Sequence, residues 1–324
     1  MNKSVKMIAI ATIIVMALII IVGIVKKSNL NSKNEKIKIV TTTFSTYDFA
    51  KQIVGENAEV TLLLNPGTDT HSYDPSTSDI IKIQKADVFI YIGGEMEKWV
   101  NKVLDSNVID ENKTLLIKVS DCVEKIEEKD VDGAEPEEEH EEEQHHEEGA
   151  FDEHIWTSPK NAIKMVEYIC NKIINIDEAN KEIYSKNSTE YIEKIQEVQS
   201  KIRKIVDNKK RDRLVFGDKM PMQYFLEEYG LTASAAFSGC STETEPSAKT
   251  VTYLINKVKE ENIPVVLYIE LSTGKTAKSI AQETGTKIMQ IQTLHNVSKE
   301  DFENNETYVS LMTKNLEVLK QALQ

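Results

Sequence analysis

Two α/β halves with mainly parallel sheets, joined by one long helix, are what this sequence predicts, and three observations predict them. Short β-branched and aliphatic runs alternate with helical patterns on both sides of the middle of the chain, the rhythm of βα units that build a parallel sheet. The 324 residues suit roughly two domains of about 150 residues each. Between the halves, Glu178 to Asp207 sets Tyr184, Tyr191, Ile195, Val198, Ile202 and Ile205 at steps of three and four almost throughout, with charges between them. Roughly thirty residues at 1.5 Å each make a rod of about 45 Å, a connector with little hinge freedom.

In the first half, Lys36 to Thr43 alternates β-branched residues as a strand, and Thr46 to Val54 is a helix whose apolar side is Tyr47, Phe49, Ala50 and Ile53. Glu59 to Leu64 is a short buried-type strand that runs into a loop of turn formers, Asn65 to Pro75, carrying His71. Ser76 to Lys85 reads as a helix, and Asp87 to Ile92 and Thr114 to Val119 as strands. Ser158-Pro159 ahead of Ile163, Val166 and Ile169 opens another helix, with proline in its first turn. Past the rod, strands at Leu214 to Phe216, Ala233 to Phe237, Pro264 to Glu270 and Lys287 to Gln292 alternate with helices. Those helices are Met222 to Tyr229, Ser247 to Asn262, Thr276 to Thr284 and Glu306 to Leu323. Polar groups gather just beyond strand ends, at Asp218, Glu243, Glu270 and His295, where open α/β sheets bind ligands. The expected boundaries are 37–177 for the first lobe, 178–209 for the linking helix and 210–324 for the second lobe.

The N-terminus points outside the cytoplasm. Met7 to Val25 is an uncharged run of 19 residues flanked by Lys3, Lys6, Lys26 and Lys27, long enough for a ~30 Å hydrocarbon core. It lacks the short core and small-x-small site of a cleavable signal, so residues 1–27 read as a transmembrane signal anchor and 28–36 as a polar tether. The first cysteine is Cys122, so lipid attachment behind the apolar run is not available. Cys122, Cys170 and Cys240 are widely spaced and odd in number, which leaves one disulfide or free thiols open and gives no support to a thiolate zinc site.

The net charge of −14 belongs to one stretch. Asp121 to Glu153 carries 17 acids and 2 bases, leaving 36 acids and 37 bases elsewhere, a nearly neutral body. No basic face stands out for nucleic acid. Four of the six histidines, His140, His145, His146 and His154, fall within fifteen residues of this acidic region. Imidazole nitrogen and carboxylate oxygen are the ligand set of borderline divalent cations, above all zinc. Up to Glu148 the stretch is low-complexity and polar, either a solvated acidic run or an accessory metal-collecting arm. His154 sits just ahead of a helix, where a side chain is held rigidly. Neither H-E-x-x-H nor a nucleophile elbow occurs, which disfavours a zinc hydrolase.

These motifs in this order resemble the zinc and manganese solute-binding proteins of ABC importers. The resemblance runs over about residues 37–323, through NPGTDTHSYDPS, an acidic His-rich loop, DEHIWTSPKNA, a long helix, TETEPSAK and ETYVSLMTKNLEVL. It implies two (β/α) lobes on a rigid helix with a metal cleft between them, and His71 and His154 as first-lobe ligands. It also implies an extracytoplasmic, monomeric, membrane-anchored receptor that hands zinc to an ABC permease and is not an enzyme. A manganese receptor, a surface adhesin of the same fold and a passive metal buffer are the alternatives. The acidic loop with His140, His145 and His146 resembles that of the zinc-type members. The second lobe departs from the family pattern, because Gly217 stands where a V-F-H-D-type histidine is expected. His295, near the family's usual C-terminal carboxylate ligand, is then the expected second-lobe nitrogen, with Asp218, Glu243 or water completing the set. Nitrogen-rich ligation favours zinc over manganese.

Overall fold

The computed structural model describes residues 36–68, 70, 73–134, 151–241 and 245–324. The anchor expected over 1–27 and nearly all of the tether lie outside the described residues. Among those described, no helix is long and apolar enough to cross a membrane. The chain from Lys38 to Gln324 forms one compact unit.

Four strands make the first sheet: β1 (Lys38–Thr41), β2 (Glu59–Leu62), β3 (Val88–Tyr91) and β4 (Leu115–Lys118). Their order is β2-β1-β3-β4, and every pairing is parallel. All four residues of β3 (VFIY) are buried, as a central strand covered on both faces requires. The edge strand β2 alternates between exposed and half-buried residues. The helices here are α1 (Phe44–Val54), α2 (Thr77–Gln84) and α3 (Lys98–Asp105). Ser76 and Asp79 cap α2 reciprocally, and a Thr43–Thr46 capping box starts α1. Val40, Leu63, Ile83, Phe89, Trp99 and Val100 form the core between sheet and helices.

Two helices lead out of this lobe, α4 (Pro159–Ile174) and α5 (Lys181–Asp207). At 27 residues, α5 is about 40 Å long. It buries the expected Tyr184, Tyr191, Ile195, Val198 and Ile202, but Val206 rather than Ile205 completes the stripe. Its first half is tied to the first lobe: Asn187 Nδ2 donates to the Ile53 carbonyl (3.0 Å), and the Tyr191 hydroxyl donates to Asp48. Its second half is tied to the other lobe, where Gln199 reaches the Glu228 carboxylate (2.7 Å) and Arg203 its carbonyl (2.9 Å).

The second lobe repeats the first, with β5 (Arg213–Lys219), α6 (Gln223–Tyr229), β6 (Thr232–Phe237), α7 (Ala248–Glu260) and β7 (Val265–Ile269). It continues with α8 (Lys275–Thr284), β8 (Lys287–Ile291), α9 (Lys299–Glu303) and α10 (Tyr308–Leu323). The order β6-β5-β7-β8 is again wholly parallel. Gly217 in β5 lies so close to α8 that a Cβ there would sit 2.5 Å from Ala277 Cα. The position is held by the spacing of helix on sheet and has no room for a side chain.

Backbone from the first lobe also lies on the second. Ile126 N donates to the Tyr224 hydroxyl (3.2 Å), Lys129 N to Gln223 Oε1 (3.0 Å), and Ala235 N to the Asp132 carbonyl (3.0 Å). Arg213 joins the Asp132 carboxylate at 2.9 Å. The chain returns at Phe151, which bridges to Glu127, and Asp152 N donates to the Ile126 carbonyl (2.9 Å). Both ends of the acidic loop are therefore anchored. Cys122 and Cys170 are free thiols, and burial raises both, Cys122 to about 11, so neither is a reactive thiolate at neutral pH.

Candidate metal centre

Asp152, Glu153 and His154 lie just before α4, and all three are buried. Each acid has its own task. Asp152 Oδ1 accepts from the backbone N of His154 (2.8 Å) and lies 2.9 Å from its Nδ1. A carboxylate on Nδ1 orients an imidazole and presents Nε2 as the metal-binding nitrogen, the arrangement found behind histidine ligands. Glu153 turns the other way, into the glycine turn after β3, where both its oxygens accept from Met96 N (3.0 and 2.8 Å). Gly94, at φ +111, makes room, since a Cβ there would lie 2.3 Å from Glu153 Oε1. Desolvation first, and then the charge of nearby Glu97, push the Glu153 carboxyl up to about 8. It is therefore largely neutral at pH 7, whereas Asp152 stands directly against the His154 ring.

From the second lobe, His295 arrives on the loop after β8. Its ring lies 4.2 Å from that of His154, centroid to centroid, at an interplanar angle of 78°. Trp156 stands over both, 5.6 Å from His154 and 5.2 Å from His295. These two imidazoles, supplied by separate lobes, bring two nitrogen donors of the type zinc takes into one place.

The loops that carry these groups are bonded across the cleft. Trp156 Nε1 donates to the Thr293 carbonyl (2.9 Å), and the Tyr308 hydroxyl donates to the Trp156 carbonyl (2.9 Å). Asn296, buried beside His295, donates its amide to the carbonyls of Asn65 and Thr68, both at 2.8 Å. Gly67 N donates to the Val297 carbonyl (2.8 Å). The loop of turn formers that leads to His71 is thus strapped to the loop that carries His295.

Not every expected ligand is placed here. His71, Glu243 and the accessory histidines His140, His145 and His146 lie outside the described residues. Asp218 is described: its Oδ1 accepts from Lys219 N (2.9 Å), and burial raises its carboxyl against partial compensation from Ser272 and the Ile269 backbone. It faces the loop after β7. Among the described residues no three His, Cys, Asp or Glu side chains come within reach of one ion, so Asp218 does not complete a triad with His154 and His295. Gly217 is not a vacated ligand seat either, because its α-carbon faces α8. Glu270 holds the His295 loop from below, and burial raises its carboxyl against the opposing donors of Thr293 and His295.

Sequence reasoning missed Asp152 and Trp156 as parts of the centre. The D-x-H-x-W pattern was legible for both, but the interlobe bond of Trp156 was not. Asn296 gave no signal beyond standing next to His295.

The family model for the periplasmic zinc-uptake complex component A matches residues 39–322. A zinc-binding lipoprotein, AdcA of Streptococcus pneumoniae, is 35% identical over 294 residues, which are 91% of this chain and 57% of that protein. The chain thus spans a little over half the length of that relative. The high-affinity zinc uptake system protein ZnuA of Bacillus subtilis is 35% identical over 300 residues, covering 92% of this chain and 91% of the relative. Among solved structures, the Zn(II)-bound ZnuA-like domain of Streptococcus pneumoniae AdcA superimposes with a TM-score of 0.73 at 34% identity, over 89% of this chain and 99% of that domain. With a match across both lobes and the linking helix, the chain belongs to the family of the periplasmic zinc-uptake complex component A.

Proposed function

We propose that the protein is an extracytoplasmic receptor that captures Zn(2+) between its lobes and delivers it to the permease of an ABC importer, anchored by the apolar segment 1–27. The observation that carries this reading is the meeting of His154 and His295, one from each lobe, with Asp152 on Nδ1 of the first. The names of the relatives from Streptococcus pneumoniae and Bacillus subtilis support zinc as the cargo, and so does a nitrogen-rich donor set. His71 is the third ligand in this reading, which the strapping of its loop by Asn296 supports. Glu243 or water fills the fourth position, and His140, His145 and His146 form a weaker collecting site. The centre takes and releases an ion without changing it, so no catalytic step is assigned. In this reading the protein acts as a monomer, which the supply of His154 and His295 by one chain supports.

Zinc calorimetry on the full chain tests this, with His71→Ala, His154→Ala, His295→Ala, Asp218→Ala, Glu243→Ala and a deletion of 135–148. One tight site near 1:1 is expected, weakened by each of the three histidine variants and kept by the deletion and by Asp218→Ala. Loss of all tight binding in the deletion, with the three histidine variants unchanged, would make the protein a loop buffer and end the receptor reading.

A further inference from the structure

The loop that presents His295 is under conformational strain. Leu294, between Thr293 and His295, is buried and has φ +63, a left-handed conformation that is unfavourable for a side-chain-bearing residue. Such strain persists only where surrounding contacts over-determine it. Here the contacts converge on one group, Glu270, buried at the end of β7. Its Oε2 accepts from Thr293 N (2.7 Å), and its Oε1 accepts from Thr293 Oγ1 (2.7 Å) and His295 N (3.2 Å). The three donors bracket the Leu294 turn on both sides. Three donors aimed at one side chain call for a carboxylate, which accepts only and has about four lone-pair sites; a glutamine would turn its NH2 toward one of them.

The same contacts reach the imidazole. Thr293 Oγ1 lies 3.4 Å from His295 Nδ1. The hydroxyl has one proton, and it goes to Glu270, so toward the ring it only accepts. Nδ1 is then the protonated nitrogen, and Nε2 carries the lone pair. The Thr293 carbonyl meanwhile accepts from Trp156 across the cleft (2.9 Å), fixing the clamped peptide to the lobe that carries His154.

We infer that Glu270 is a positioning residue for metal capture: through Thr293 it holds the Leu294 turn and the ring of His295 so that Nε2 faces His154. It repeats, through one intervening hydroxyl, what Asp152 does directly for His154. This rests on the reading of His295 as a ligand, and the test separates the two.

Zinc affinity is measured by competition with a chromophoric chelator for the full-length parent, E270Q, H295A and the double variant, alongside melting of the metal-free proteins. E270Q is expected to weaken zinc about 10- to 100-fold in the parent, as loss of a group orienting a ligand histidine does, and less than about threefold in H295A. Equal loss in both backgrounds, or parent affinity in E270Q, would overturn the inference. Parent affinity in H295A alone would instead remove the ligand assignment, and the inference with it. Should E270Q fail to fold, T293V keeps the shape and removes the hydroxyl. Long-range proton–nitrogen spectra of metal-free T293V are then expected to show His295 losing its single Nδ1–H tautomer, and an unchanged tautomer refutes the relay.

Discussion

Replacing Asp152 with asparagine tests the centre at its most sharply defined contact. Asparagine keeps an oxygen in place for the His154 backbone N and for Nδ1, now at 2.8 and 2.9 Å, so the shape of the turn survives. What disappears is the negative charge against a ring that has no solvent exposure. Hydrogen bonds to a charged acceptor are worth about 1.5–3 kcal/mol, against about 0.5–1.5 for neutral ones. The difference, about 1–2 kcal/mol, bears on the state in which His154 carries developing positive charge, which is the metal-bound state. That is about a 5- to 30-fold loss of zinc affinity at 1.4 kcal/mol per tenfold, within the 10- to 100-fold range for groups behind histidine ligands. Competition with a chelator of known affinity reads it, and melting of the metal-free variant checks that the fold is intact. A well-folded D152N that binds zinc within twofold of the parent would show that His154 does not bind metal through a nitrogen tuned by Asp152.

Other perturbations follow from the same geometry. Gly217→Ala is expected to destabilise by about 1–3 kcal/mol or more, the cost of overpacking, since the new methyl meets Ala277 Cα at 2.5 Å; the urea midpoint reads it, and zinc affinity of the folded protein should not change. Trp156→Phe removes the donor to the buried Thr293 carbonyl, an expected loss of about 1–3 kcal/mol in denaturant titration, with weaker zinc binding; an unchanged midpoint would dismiss the interlobe bond as a stabilising contact. Burial raises the Asp48 carboxyl above its ordinary value of 3.8 against donors from Tyr191, Tyr308 and Gln52, so the folded state holds a proton that the unfolded chain releases. The associated stability is complete below that ordinary value and lost as pH rises through the folded one, at up to about 1.4 kcal/mol per pH unit. Urea midpoints across pH should show a shallower slope in Asp48→Asn than in the parent, and an equal slope would refute the assignment.

The strands and most helices were legible because β-branched runs and steps of three and four survive without tertiary information. The exceptions have physical reasons. Helix α3 follows Gly93-Gly94 and mixes Lys98, Asn101, Lys102 and Asp105 with Trp99, Val100, Val103 and Leu104, so its apolar face shows only once the core it packs on is known. Val206 displaces Ile205 because helix periodicity locates a stripe, whereas the partner surface decides its edge. In the centre, His154 was marked by its place before a helix and His295 by its place after a strand. Their meeting at 4.2 Å depends on how two lobes pack, which no local pattern encodes. Gly217 misled for a similar reason: a string comparison reads it as a missing histidine, while the distance from sheet to helix makes it a position that excludes any side chain.

The linking helix has a consequence for any membrane partner. Because α5 is hydrogen-bonded along its first half to one lobe and along its second half to the other, it acts as a gauge block that fixes the distance between their outer faces. In the proposed receptor role, a docking surface that spans both lobes would keep one footprint as long as these bonds hold. A partner cannot read cargo from the overall outline of such a molecule. In that role the information would be carried by the loops around His154 and His295, which makes recognition of the loaded state a matter of local texture rather than of shape.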